Sequence, residues 1–136
     1  MRTLSAPVVD VCVCTYRRPS LEATLRSLDR QEGLVPGAVR ILVADNDDTP
    51  SARPLVEAMG PLRWPVVYLH APARNISVAR NACLDAAEAS FIAWIDDDEA
   101  ADTGWLAALL AGIGDDAAAF GPVVALYPAS APAWIQ

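Results

Sequence analysis

A chain of 136 residues, 54% of them hydrophobic and with positive mean hydropathy, is long enough for one domain with a proper core and too apolar for a disordered segment. Its net charge of −7 argues against a nucleic-acid backbone as partner, though local arginines or a metal could still hold a small anion. All ten basic residues are Arg, so any mechanism that needs a lysine amine is excluded.

Residues 8–14 are apolar and β-prone apart from Asp10, as expected of a strand buried on both faces. Cys12 and Cys14 share one face of it. With Cys83 they lack zinc spacing, and with His70 the only histidine they are expected to be reduced, buried thiols of a cytosolic protein. No signal peptide is visible after Met1, and neither apolar stretch near 105–113 or 117–126 reaches membrane-spanning length. A soluble protein is expected.

Thr15-Tyr16-Arg17-Arg18 forms a polar loop, and Pro19-Ser20 opens a helix whose Leu21, Leu25 and Leu28 recur at helical spacing. Gly33 and Pro36-Gly37 end that unit. A second strand over 39–44 runs into Asp45-Asn46-Asp47-Asp48. Ser51 is the expected cap of a short helix through Met59. A third strand, 66–70, precedes a loop containing Arg74.

Asn75 or Ser77 caps the next helix, whose Ala79, Ala82, Cys83, Ala86 and Ala87 permit close packing on a sheet. The fourth strand, 91–95, is read as buried, with Trp94 in the core, and ends in Asp96-Asp97-Asp98-Glu99. Asp102 or Thr103 then caps a helix carrying Trp105, Leu106, Leu109, Leu110 and Ile113. A fifth strand is expected over 117–123, weakened by Gly121-Pro122. The alternation implies an α/β fold with a mostly parallel sheet flanked by helices.

In such sheets ligands bind beyond the carboxyl ends of the strands, where the polar sequences of this chain fall. The first loop has no closely spaced glycines for a dinucleotide, and without Lys neither a Walker P-loop nor a phosphoacceptor receiver domain fits. A site that binds a nucleotide diphosphate through a divalent cation does fit. Asp98 would ligate Mn²⁺ or Mg²⁺, with Asp96 acting directly or through water and ribose. A solvated acidic loop is the alternative for an isolated charge run.

Four motifs in order carry a family resemblance: Val11-Cys12-Val13-Cys14-Thr15-Tyr16-Arg17-Arg18-Pro19, Val43-Ala44-Asp45-Asn46-Asp47, Asn75-Ile76-Ser77-Val78-Ala79-Arg80-Asn81, and Ile95-Asp96-Asp97-Asp98-Glu99 followed by Trp105-Leu106. The chain resembles the N-terminal, nucleotide-sugar-binding part of inverting family 2 glycosyltransferases with the Rossmann-like GT-A fold, over about residues 8–124. More loosely, it is similar to bacterial exopolysaccharide glucosyltransferases of the succinoglycan type. The resemblance implies a UDP-sugar donor and a glycan or lipid-linked acceptor. It implies a cytoplasmic protein, with peripheral association at the inner face of the plasma membrane left open.

It also implies roles for single residues. Asp45 would accept the N3–H of uracil, with an Asx-turn residue as the alternative, and Arg80 would help hold Asp96 or the diphosphate, with a surface helix arginine as the alternative. Asp96, Asp97 and Asp98 form the Asp-x-Asp block, with Asp96 and Asp98 on the metal and Asp97 on the nucleotide side. Thr15 would contact the nucleotide or satisfy local backbone; Tyr16 would lie against the base or pack at the sheet edge; Arg17 would sit near the diphosphate or in solvent. Arg74 divides evenly between solvation and donor contact, and His70 reads as structural. Asp47 and Asp48 read as turn residues.

The family's acceptor half and its acidic general base are not recognisable in these residues, so the domain is expected to be truncated before that half. Leu126, Trp134 and Ile135 would then expose apolar surface suited to self-association or a partner.

Overall fold

The computed structural model describes residues 7–135. Four strands, β1 (Val9–Thr15), β2 (Val39–Asp45), β3 (Val66–His70) and β4 (Phe91–Trp94), alternate with four helices, α1 (Leu21–Asp29), α2 (Arg53–Ala58), α3 (Ile76–Ala86) and α4 (Trp105–Ile113). All strand pairs are parallel, in the order β3-β2-β1-β4. The expected α/β architecture is therefore present.

The two-residue side-chain alternation of the strands divides the core. Val9, Val11, Val13, Ile41 and Val43 point to one face and pack with Leu21, Leu25 and Leu28 of α1, Trp64, and Leu106 of α4. Cys12, Leu42 and Ala44 point to the other, against Ala79 and Cys83 of α3. The small side chains of α3 explain why that helix can lie close to the sheet.

Asp10 belongs to the second face. Arg40 grips it with two hydrogen bonds, 2.8 and 3.0 Å, and the amides of Glu88 and Ala89 also donate to it. Burial works to raise its pKa, but the guanidinium and the two amides outweigh it and hold the carboxyl below its ordinary value. An acidic residue inside an apolar strand is thus a fastener between β1, β2 and the end of α3.

Several expectations fail for identifiable reasons. Residues 117–127 form no strand, with Phe120 94% and Leu126 87% exposed. β-Propensity does not make a strand without a partner for its backbone, and here the segment pairs with none. The fourth strand stops at Trp94 and is an edge strand, so Trp94 is 42% exposed and lies outside the core. Ser51 does not cap α2: that helix begins after Ala52, whose amide donates to the Asp45 carboxylate. Neither Asp102 nor Thr103 caps α4 with its side chain. Buried Gln31 does this work, accepting from the Leu106 amide and donating to the Asp102 carbonyl. The open choice at α3 resolves to Asn75, whose side chain accepts from the Ser77 amide.

Candidate functional site: two acidic loops and a groove

The loops after β1, β2 and β4 meet at the carboxyl end of the sheet. Asp45, the last residue of β2, is fully buried. Its Oδ1 accepts from the Asp47 amide, and its Oδ2 accepts from the Ala52 amide and the Tyr68 hydroxyl. The expectation that Asp45 is open to a uracil N3–H is therefore not met by this conformation, because the carboxylate is sealed while it holds the β2 loop and starts α2.

Asp47 is equally enclosed. Arg17 donates to both its oxygens at 2.8 and 3.0 Å, and His70 Nε2 lies 2.9 Å from its carbonyl. The Arg17 hydrogen bonds, followed by one from Ser51, hold the Asp47 carboxyl well below the usual carboxylate range. Asp48 pairs with Arg74 at 2.6 Å. Arg17 and Arg74 both adopt left-handed backbone, φ 51° and 48°, which is costly for a side chain with a Cβ. Arg17 is therefore bound to Asp47 through an ion pair, although its side chain is 57% exposed.

The β4 loop behaves differently. Burial alternates along it, with Ile95 and Asp97 turned inward and Asp96 and Asp98 exposed. Thr15 donates its hydroxyl to Asp97 Oδ2 at 2.8 Å, and Ser20 donates to the Asp97 carbonyl. Thr15 and Asp97 thus tie the β4 loop to the end of β1. Asp98 meets only the exposed Arg18, at 3.2 Å, and the Asp96 amide is closed by the Glu99 carboxylate. Tyr16, 38% exposed, stands at the mouth with the Arg17 guanidinium 5.2 Å from its ring centre.

Beside this loop an open groove of about 530 Å³ is lined by Ser77, Arg80, Asn81 and Leu84 of α3 and by Trp94. The four α3 residues recur at helical spacing and form one stripe. Arg80 makes no ion pair or side-chain hydrogen bond among the described residues, and its charge and that of Asp96 both act on Cys14. Trp94, which shares the groove with this cation, stands two residues before Asp96. Trp94 as a groove wall was missed, because its strand was read as buried and Trp94 as core.

All three cysteines are free. Hydrogen bonding with Cys83, then burial, push the Cys14 thiol far up, and contact with Cys12 first and then burial push Cys83 up to about 12. These are packed, protonated thiols, as expected.

No three His, Cys, Asp or Glu side chains converge to hold an ion among the described residues. The donor set nonetheless suits Mn²⁺ or Mg²⁺: two exposed carboxylates supply hard oxygens, and such ions commonly take one or two carboxylates and fill their remaining positions with phosphate and water. Among the described residues no helix is long and apolar enough to cross a membrane.

The family model described as glycosyl transferase family 2 matches residues 10–134. The succinoglycan biosynthesis protein ExoM of Rhizobium meliloti (strain 1021) is 47% identical over 131 residues, which are 94% of this chain and 42% of that protein. Among solved structures, S. aureus TarS 1–349 in complex with UDP matches with a TM-score of 0.65 and 23% identity, over 79% of this chain and 32% of the other. The mannosyltransferase PcManGT from Pyrobaculum calidifontis, in complex with GDP-Man and Mn²⁺, matches with a TM-score of 0.68 and 24% identity, over 82% and 33%. These two likenesses concern the fold. The chain spans less than half the length of each of these relatives.

Proposed function

The chain belongs to glycosyltransferase family 2, and from that premise we propose that it forms the donor-binding half of a metal-dependent, inverting transferase. It would take a sugar from a nucleotide-sugar, most simply a UDP-sugar, and pass it to a glycan or lipid-linked acceptor during polysaccharide synthesis. The observation that carries this reading is the exposed Asp96/Asp98 pair beside the uncommitted Arg80 groove, at the ligand-binding end of a parallel sheet. The UDP and the GDP-Man with Mn²⁺ named in the two structural neighbours support the choice of ligand class.

Asp96 and Asp98 would hold the divalent ion, which when bound supplies positive charge to the diphosphate leaving group. The chain's own residues do the rest. Thr15 and Ser20 fix the β4 loop through Asp97, so the two outer carboxylates are presented without having to be ordered on binding. Arg18 neutralises Asp98 in the free state and can be exchanged, since the pair is exposed. Arg80 sits where it can meet phosphate oxygen with a charge-assisted hydrogen bond. Tyr16 offers an aromatic face to the base.

In an inverting transfer the acceptor hydroxyl attacks the anomeric carbon as the diphosphate departs, and a base takes the hydroxyl proton. The residues described here serve the departing side. A second reading follows: a nucleotide-sugar-binding module that needs another polypeptide segment or subunit for turnover. It is favoured by the edge position of β4 and the exposed Phe120, Val123, Val124 and Leu126, a surface suited to a partner or to self-association.

Calorimetric titration with UDP, with and without Mn²⁺, tests the shared core of both readings. Metal-dependent binding that is lost in Asp98→Ala is expected; metal-independent binding, or binding unchanged in the variant, refutes it. Transfer or slow hydrolysis of a UDP-sugar by the same protein separates transferase from binding module.

A further inference from the structure

One side of α1 carries polar residues that its leucine packing on the sheet does not use. Ser20, Thr24, Ser27 and Gln31 follow at intervals of three or four residues and form a stripe along the helix and its two ends. Thr24, Ser27 and Gln31 are buried. All four bond to the main chain of the segment that leaves β4. Ser20 donates to the Asp97 carbonyl at 2.8 Å, and Thr24 donates to the Glu99 carbonyl at 2.6 Å. The Ala101 amide donates to the Ser27 hydroxyl at 3.0 Å, and Gln31 spans from the Asp102 carbonyl to the Leu106 amide.

Helix geometry accounts for the match. One helical turn rises about 5.4 Å and two residues of extended chain cover about 6.6 Å, so successive turns can meet every second residue of a chain laid alongside. Ser20, Thr24 and Ser27 accordingly meet residues 97, 99 and 101. These bonds take carbonyls and amides only. The path of the loop is fixed while the Asp96 and Asp98 side chains stay exposed.

We propose that this stripe, with Thr24 as its enclosed member, positions the acidic turn for a divalent cation. The proposal rests on the reading of Asp96 and Asp98 as ligands of that ion. The turn is closed by the Glu99 amide on the Asp96 carbonyl, and Thr24 grips the same residue from the other side. Two carboxylates held close repel each other, and an unanchored loop would relax by spreading them. Anchored on α1, the loop keeps both in place and needs little ordering when an ion arrives. Ser20 stands at the exposed end of the stripe, where water competes with its bond; Thr24 is fully buried and out of reach of any ligand. Its influence on the ion therefore passes through the backbone, as that of a positioning residue.

The test compares Thr24→Val, which keeps the shape and loses the O–H donor, with Thr24→Ser, which keeps the donor. Ile41→Val, a core change in the middle of β2, controls for lost stability. UDP is titrated into each protein with Mn²⁺, well below the unfolding transition, and amide hydrogen exchange is followed on the free proteins. Thr24→Val is expected to weaken Mn²⁺-dependent UDP binding by about three- to tenfold, the range of one hydrogen bond. Thr24→Ser and Ile41→Val should keep wild-type affinity. The Glu99 and Ala101 amides should exchange faster in Thr24→Val than in Ile41→Val. Ser20→Ala, at the exposed end of the stripe and of little consequence for folding, should weaken binding by a smaller factor and decides the matter if Thr24→Val does not fold. Wild-type affinity in Thr24→Val, or in Ser20→Ala when that variant stands alone, overturns the positioning role and leaves the proposed function standing. An equal loss in Thr24→Val and Ile41→Val does the same, since it reports general stability. Absence of Mn²⁺-dependent UDP binding in the wild type overturns the functional reading and this role with it.

Discussion

Two acidic loops leave the same end of one sheet, and they treat their carboxylates in opposite ways. Asp45-Asn46-Asp47-Asp48 after β2 is committed throughout: to backbone amides and Tyr68, to the Ala71 carbonyl, to Arg17 and to Arg74. Asp96-Asp97-Asp98-Glu99 after β4 commits Asp97 inward and leaves Asp96 and Asp98 facing solvent, against one exposed arginine. Composition does not distinguish the loops. What separates them is the number of donors that neighbouring elements bring within reach, and that number is set by strand order. β2 lies between two strands whose loops converge on its own, whereas β4 is at the edge.

If that contrast is right, substitutions in the two loops should fail in different assays. The largest effect on folding is expected for Asp45→Ala. It strands two backbone amides and a phenol in a buried site, at about 1–3 kcal/mol for each unsatisfied group. A loss of about 3 kcal/mol or more in urea unfolding is expected. A loss below about 1 kcal/mol would show that the loop does not depend on this carboxylate.

Asp98→Ala should do the reverse. An exposed side chain with one surface ion pair contributes about 0–1 kcal/mol, so the unfolding midpoint should hardly move. Metal-dependent affinity for UDP should nevertheless fall by about tenfold or more, the scale of losing one charge-assisted contact of about 1.5–3 kcal/mol. Equal damage to stability and binding would erase the distinction between the loops.

The pH dependence sharpens the comparison further. Asp47 has a depressed pKa in the folded protein, so its contribution to stability is present above the ordinary aspartate value, about 3.9, and fades as pH falls below it toward the folded-state pKa. Asp47→Asn should therefore cost stability at pH 7 and cost progressively less as the solution is acidified below pH 4, measured by denaturant unfolding at each pH.

How much of this was legible in the sequence follows from the same physics. Strand and helix order came through because apolar periodicity and turn residues are local signals, and the leucines at 21, 25 and 28 sit where that pattern requires. The carboxyl-end loops came through because an α/β alternation places them. What did not come through was pairing at a distance. Gln31 capping a helix more than seventy residues later, Tyr68 sealing Asp45 and Thr15 holding Asp97 have no local signature. Trp94 and residues 117–123 were misread because an apolar, β-prone run says nothing about whether a neighbouring strand is there to cover it.

The smallest effect is expected at Arg74, and its sign is informative. The Arg74–Asp48 pair is exposed on both sides, 59% and 55%, so its loss costs a few tenths of a kcal/mol. Against this, Arg74 holds a left-handed backbone at φ 48°, a conformation that costs a residue with a Cβ about 1–2 kcal/mol and glycine almost nothing. The greater chain entropy of glycine when unfolded takes back about 0.5–1 kcal/mol of that relief. Arg74→Gly should thus be as stable as wild type within about 0.5 kcal/mol, while Arg74→Ala, which loses the ion pair and keeps the strain, should be the less stable of the two. If thermal unfolding instead ranks Ala above Gly, the left-handed backbone at this position costs less than the chain entropy that glycine adds to the unfolded state.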